Sequence, residues 1–441
     1  MLGQDDSDAP FPHTEGMKAT AGRSEASELA RLLLDEVGAA TGGVQAVHRR
    51  IADRVFGAVA LGVGTPALAV KAAHDAITDG VYSVIREAAS ATAALAEFGF
   101  AESAGDRAPS ETVRGAMAIA AVDGLIGDVL ESEGSPLALP VSVRVDGRAV
   151  PLTADALARA LPHATNRVVV FVHGLMETEA TWRFGGRRTY GERLVDDLGC
   201  TSVFVRYNTG RHISVNGREL SELLDALVRA WPREVEQIAL VGHSMGGLVA
   251  RSACFYGTEK AWSRRVRHVV SLGSPHLGAP LEQAVHYASA ALVAIPESKP
   301  FGTLLRRRSA GIRDLNRGAV VDEDWSGRDA DDLRRAVCRE VPLLDGAMHC
   351  FVSATLTRSP THPLGRLLGD GLVLVPSASG NGRTRRIGFR AEDGMHRAPA
   401  HHLTLLNDDE VYRQLLRWLR TGPGAPRPGD DRSGSAGADR P

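Results

Sequence analysis

Gly242-His243-Ser244-Met245-Gly246 follows the apolar run Ile238-Ala239-Leu240-Val241 and leads into Gly247-Leu248-Val249-Ala250-Arg251, which reads as the start of a helix. A serine between two glycines, set between a strand and a helix, has a specific physical meaning. The glycines let two backbones close on each other. The turn then holds the serine in a strained conformation, with its hydroxyl exposed at the C-terminal end of the strand. The five-residue pattern alone arises easily by chance in a chain with 47 glycines. The apolar run before it and the helical stretch after it single it out. Ser244 is therefore the expected nucleophile.

Working outward from this turn, strand candidates alternate with helical stretches. The strand candidates are 167–172, 202–206, 237–241, 267–272, 348–354 and 385–390. Such alternation predicts a doubly wound, mostly parallel α/β sheet, which binds ligands at the C-terminal ends of its strands. Upstream, a helical stretch over 111–131 gives way at Pro140 to 141–145, the turn Asp146-Gly147 and 149–152, a strand hairpin.

A serine hydroxyl is a poor nucleophile alone. It needs a base, an acid to orient that base, and donors for the developing oxyanion. After a turn of this kind, the acid and then the base come later in the chain. Asp370, in Leu368-Gly369-Asp370-Gly371-Leu372-Val373, follows the strand candidate 348–354 and is the expected acid. Asp324 and Asp345 precede that strand, and Asp393 follows the next one. The expected base is His402, in His401-His402-Leu403-Thr404-Leu405-Leu406-Asn407, between the last strand candidate and the last helix. Spacing does not separate it from His401, and His396 is a third choice. A neutral imidazole can take the serine proton and later give it to the leaving group. The oxyanion donors are expected to be backbone N–H groups: Met245 after the nucleophile, and Leu175 in His173-Gly174-Leu175-Met176 after the strand 168–172, with Met176 as its rival. Trp182 and Tyr207-Asn208-Thr209-Gly210, which follow early strands, are candidates to line the cleft, with Trp182 and Tyr207 the candidate substrate-binding residues, though Trp182 reads equally well as core.

These segments, together with Gly273-Ser274-Pro275-His276-Leu277-Gly278-Ala279-Pro280, resemble the α/β-hydrolases of the lipase/esterase group over roughly residues 141–420. More narrowly, the chain is similar to bacterial hydrolases grouped as GPI inositol-deacylase-like. The resemblance implies an α/β-hydrolase fold and hydrolysis of carboxylic esters, lipid or acyl esters favoured, through a Ser-His-Asp triad and an acyl-enzyme, with no cofactor. Carried over residue by residue, Ser244 is nucleophile, Asp370 acid, His402 base, and Leu175 with Met245 oxyanion donors. Thioesterases, amidases and acyltransferases use the same triad. A hydrolase scaffold can also serve as a non-catalytic interaction protein, but the intact Ser, Asp, His and oxyanion loops speak against that here.

At 441 residues the chain has room for one large α/β domain and an accessory region. The expected division is a disordered tail over 1–24, a helical N-terminal region over 25–104, a hydrolase domain over 105–420 with a cap-like insertion at 281–340, and a second tail over 421–441. The common hydrolase pattern does not explain the N-terminal region. A net charge of −2 gives no global field for nucleic acid or anionic membranes. Cys200, Cys254, Cys338 and Cys350 show no metal spacing and read as packed thiols. Asp5, Asp6 and Asp8 stand where a signal peptide would carry basic residues, and no apolar run follows, so a cytoplasmic protein is expected. Apolar stripes at Val44, Val47, Ile51, Val55, Val59 and at Val70, Ile77, Val81, Val84 need cover. Packing on the hydrolase domain or self-association is favoured, with peripheral membrane contact second. The uncharged stretch 55–70 is shorter than the ~20 residues a span needs. In the insertion, Tyr287, Leu292, Val293 and Phe301 are candidates for an apolar surface facing an acyl chain.

Overall fold

Runs of β-branched and aromatic residues build the centre of the molecule. In the computed structural model, residues 25–29, 107–279, 309–327, 338–359, 361–383 and 385–421 are described. Among them, eight strands form one sheet: β1 (Ser142–Val145), β2 (Arg148–Val150), β3 (Arg167–Val172), β4 (Thr201–Arg206), β5 (Gln237–His243), β6 (Val266–Leu272), β7 (Met348–Ala354) and β8 (Gly394–Arg397). Their order is β2-β1-β4-β3-β5-β6-β7-β8. β1 pairs antiparallel with β2 and with β4, and the remaining pairs are parallel. The β1–β2 hairpin turns at Asp146 (φ 50°) and Gly147 (φ 81°), the left-handed pair that a tight hairpin favours.

β3 (RVVVFV) is buried at every position after the first, as suits a strand covered on both faces. Successive side chains alternate between two cores. Val168, Val170 and Val172 pack with Leu220, Leu224 and Leu248, from the helices α4 (Ile213–Ala230) and α5 (Met245–Tyr256). Val169 and Phe171 pack with Tyr190, Leu194, Leu415 and Trp418, from α3 (Tyr190–Leu198) and the last helix, α9 (Asp409–Arg420). α3 begins on a Thr189–Glu192 capping box and ends at Gly199 in the left-handed conformation. The shorter helices are α2 (Ala154–Ala160), α6 (Ala310–Arg317), α7 (Pro363–Leu368) and α8 (Val375–Ala378).

The helix expected over 111–131 is α1 (Val113–Ser132), capped by the Thr112 hydroxyl, which accepts from the Gly115 amide. It lies on the loops that leave β3 and β4. The approach is close enough that a Cβ at Gly210 would stand 2.0 Å from the Asp123 carbonyl oxygen. Asn208 Nδ2 donates to the Gly127 carbonyl at 2.9 Å. Residues 25–29 are helical and sit against α1. The Glu25 carboxylate accepts from the Ser110 amide and hydroxyl, each at 3.0 Å, and Leu29 packs with Ile119, Leu130 and Leu137.

One expected strand is absent. The segment 385–390 makes only an isolated bridge, Asn381 to Arg386, and the edge strand is β8. The cause is Gly388 at φ 89°, which takes the backbone out of the extended region. Asp393 therefore precedes the last strand rather than following it. The N-terminal stripes, the 55–70 stretch, both tails beyond Thr421 and residue 24, and Tyr287, Leu292, Val293 and Phe301 lie outside the described residues. No described helix is long and apolar enough to cross a membrane. The four cysteines are buried, and none is in a disulfide among the described residues.

Candidate active site

The chain reverses sharply from β5 into α5 at Ser244, whose backbone stands at φ 51°, ψ −121°. A non-glycine residue there is strained and needs its surroundings to hold it. Gly246 is the reason the reversal fits: a Cβ at that position would stand 2.2 Å from the Val172 carbonyl oxygen, so α5 can lie directly on the end of β3. The Ser244 amide donates to the Leu272 carbonyl at 2.9 Å, which ties the turn to the end of β6. The residue is 8% exposed.

The loop after β3 comes over this serine. A Cβ on Gly174 would stand 3.0 Å from Ser244 Cβ. Of the two rival oxyanion donors, the Met176 amide donates to Thr209 Oγ1 at 3.2 Å, while the Leu175 amide makes no hydrogen bond among the described residues. Met245 is the first residue of α5, where the N–H groups have no partner within the helix.

Asp370 sits in a tight turn between Gly369 (φ 58°) and Gly371 (φ 101°). Its Oδ1 accepts from the Leu372 and Val373 amides at 3.0 and 2.8 Å. Its Oδ2 lies 2.8 Å from His402 Nδ1, and the His402 amide donates to the Asp370 carbonyl at 3.0 Å. Both side chains are buried. Burial disfavours the charged imidazole. The Asp370 carboxylate, through charge and hydrogen bond, outweighs it with help from Glu177, and the net pKa of His402 lies above the usual histidine value. His402 Nε2 is buried and has no hydrogen-bond partner among the described residues. No hydrogen bond joins it to Ser244, but the two residues are close neighbours through β6. Ser244 is bonded to Leu272, and a Cβ on the next residue, Gly273, would lie 3.1 Å from His402 Cε1.

The rivals lie elsewhere. His401 is exposed, with Phe184 at its ring edge 6.0 Å away. His396 is engaged by Ser353 and Thr355 hydroxyls at 3.0 and 3.1 Å. Asp324 is buried and accepts from the Val320, Val321 and Arg339 amides, and Asp345 is exposed. Asp393 is buried in the turn before β8.

Tyr207, a candidate to line the cleft, is packed inside instead, and Trp182 takes the core reading that the sequence equally allowed. Trp182 is fully buried, edge-on to Phe171 with ring centroids 5.0 Å apart. Tyr207 stacks on His173 at 4.5 Å and donates its hydroxyl to the His173 carbonyl at 2.8 Å. Both follow strand ends, but their large apolar rings are taken up by the cores beneath the loops. Glu177, whose carboxylate accepts from the Gly174 amide at 2.7 Å, carried no sequence signal, whereas Thr209, which accepts from the Met176 amide, belongs to the segment 207–210 expected near the cleft. A shallow cleft lined by Arg167, Gln237, Arg267, His268 and Leu419 lies at the opposite, N-terminal ends of β3, β5 and β6, and takes no part in this arrangement.

Residues 163–326 match the family described as PGAP1-like alpha/beta domain. The fold is that of an α/β-hydrolase. Sheet order, the strained turn after β5 and the loops after β3, β7 and β8 all occupy the places that this fold gives its active site. Among solved structures, the chain is similar to a lipase from Bacillus licheniformis in propeptide form, at 17% identity and a TM-score of 0.37 over 58% of this chain and 50% of that one. It is also similar to a lipase-esterase related protein from Clostridium acetobutylicum (12%, TM-score 0.31, 58% and 95%) and an esterase from Pyrococcus furiosus (15%, TM-score 0.30, 58% and 82%). The chain thus spans about half the length of the first of these. No curated protein matches it.

Proposed function

We propose that this protein is a serine hydrolase that cleaves carboxylic esters, with lipid or acyl esters as its substrate class. The observation that carries the reading is the buried 2.8 Å pairing of His402 Nδ1 with Asp370, which leaves Nε2 without a partner among the described residues, beside the strained Ser244. In this reading Nε2 takes the Ser244 proton as Oγ attacks the ester carbonyl. Asp370 keeps the ring in the tautomer that presents Nε2 and stabilises the imidazolium that forms. The N–H groups of Met245 and Leu175 hold the developing oxyanion. His402 then protonates the leaving alcohol, and an acyl group remains on Ser244. A water, activated by the same imidazole, releases the acid and restores the enzyme.

The test is labelling by a fluorophosphonate, followed by a p-nitrophenyl ester series of increasing chain length. The wild type should label and hydrolyse. Ser244→Ala should lose both while keeping its far-UV circular dichroism. Undiminished labelling in that variant would remove Ser244 from the role. Parallel thioester, amide and acyl-acceptor assays separate ester hydrolysis from the other reactions that use a Ser-His-Asp triad.

A further inference from the structure

A second carboxylate–histidine pair lies beneath the first. Glu177, in the loop after β3, is 9% exposed and His243, the last residue of β5, is fully buried. Glu177 Oε1 lies 2.9 Å from His243 Nδ1, and Oε2 accepts from the Gly174 amide at 2.7 Å. On the far side of the ring, His243 Nε2 is 3.3 Å from the His402 carbonyl oxygen. The His243 and His402 rings lie against each other with centroids 4.7 Å apart. A carboxylate and a carbonyl are both acceptors, so the His243 ring can only donate to either of them.

We infer that Glu177 and His243 act as positioning residues that lock the loop carrying the oxyanion donor, the nucleophile turn and the base loop into one register. The inference rests on the hydrolase reading and deepens it. Three segments far apart in sequence meet through one carboxylate–histidine pair, the base loop through the His243 ring rather than the carboxylate itself. Gly174 precedes the Leu175 amide, His243 precedes Ser244, and the His402 carbonyl belongs to the base itself. The geometry of the attack depends on how these three stand to each other, and a small misplacement is costly. Charge is part of the device. Burial would raise the Glu177 pKa, but His243 and the Gly174 amide lower it further than burial raises it, so the group stays ionised. Its negative charge then adds to that of Asp370 in favouring protonated His402. The groups facing His402 are Asp370 from the loop after β7, Glu177 from the loop after β3, His243 from β5, and His401 beside it.

The experiment follows the His402 ring through a pH titration by NMR in the full-length protein, with labelling and ester kinetics alongside. In Glu177→Gln the His402 midpoint should move to lower pH. kcat should fall by about tenfold or more, the scale on which orienting partners act, with KM little changed. Glu177→Asp keeps the charge and should recover part of both. Glu222→Gln, at an exposed position, should change neither. A folded Glu177→Gln with the wild-type His402 midpoint would overturn the link. If Glu177→Gln does not fold, His243→Gln cuts the link from its other end and should lower kcat with KM little changed; unaltered kcat there would also overturn it. Collapse of all three variants would make the pair a purely structural one and overturn it equally. A wild type that neither labels nor hydrolyses, while its His402 midpoint still follows Glu177, would sink the hydrolase reading and leave the link standing.

Discussion

His401 and His402 are neighbours in sequence, yet only His402 turns its ring onto Asp370. In the proposed reading, His402→Ala should therefore lose several orders of magnitude in kcat, because the serine would lose its base. His401→Ala should be mild. A dead His401 variant beside an active His402 variant would exchange their roles. Asp370→Asn should keep substrate binding but cut kcat by roughly 10⁴, since an amide favours the wrong tautomer. The pH dependence has a definite sign. The base must be neutral to accept a proton, and the pKa of His402 is raised. kcat/KM should fall as pH drops through a midpoint above the usual histidine value, and Asp370→Asn should move whatever limb remains to lower pH. A limb at or below the midpoint of a free histidine would contradict the pairing seen here. That Asp370 and His402 meet was legible in the sequence, because each follows a strand in a sheet whose strand ends converge. The choice between adjacent histidines was not, since it depends on which side of a short turn faces inward. Glu177 was not legible either. A lone glutamate in a loop reads as solvated, and its partner lies 66 residues away.

At the level of elements, the strands read most clearly where the apolar run was continuous. β3, β5, β6 and β7 are buried on both faces, and their composition leaves little else for them to be. The edge was misread. β8 is only four residues, half-buried, with no apolar alternation, while 385–390 has a better pattern interrupted by Gly388. The reversal between β5 and α5 makes a sharper claim. Gly246→Ala would drive a Cβ into the Val172 carbonyl, which is backbone and cannot rotate away. The variant should lose about 1–3 kcal/mol of stability from overpacking. It should lose activity beyond that, because the serine turn must open to relieve the clash. Thermal melts and fluorophosphonate labelling well below the melting point separate the two effects. A variant that labels at the wild-type rate would show that α5 can shift on β3 without moving Ser244.

Across the whole molecule, the expected border between N-terminal helices and hydrolase domain is crossed by specific contacts. Glu25 holds both the amide and the hydroxyl of Ser110, at the foot of α1. Arg206, at the end of β4, binds the Ser110 carbonyl and pairs with Glu179 in the segment after β3. α1 itself lies on Asn208 and on Met176, which is in the loop after β3 proposed to carry an oxyanion donor. Residues 25–29 thus reach the site's outer wall through one helix. Deleting residues 1–104 removes Leu29 from its cluster and leaves the Ser110 amide without its partner. The first loss should cost about 2–3 kcal/mol and the second about 1 kcal/mol, both at α1 rather than in the sheet. The truncated protein should melt lower, and protease should cut α1 before the strands. Ser244 should still label at temperatures below that transition, since the proposed triad stands on the end of β5 and the loops after β7 and β8. Leu29→Ala in the full chain should reproduce most of the shift, which separates the loss of this contact from the loss of everything else in the deleted segment. Equal melting temperatures for the deletion and the full chain would mean that α1 is held by the hydrolase sheet alone.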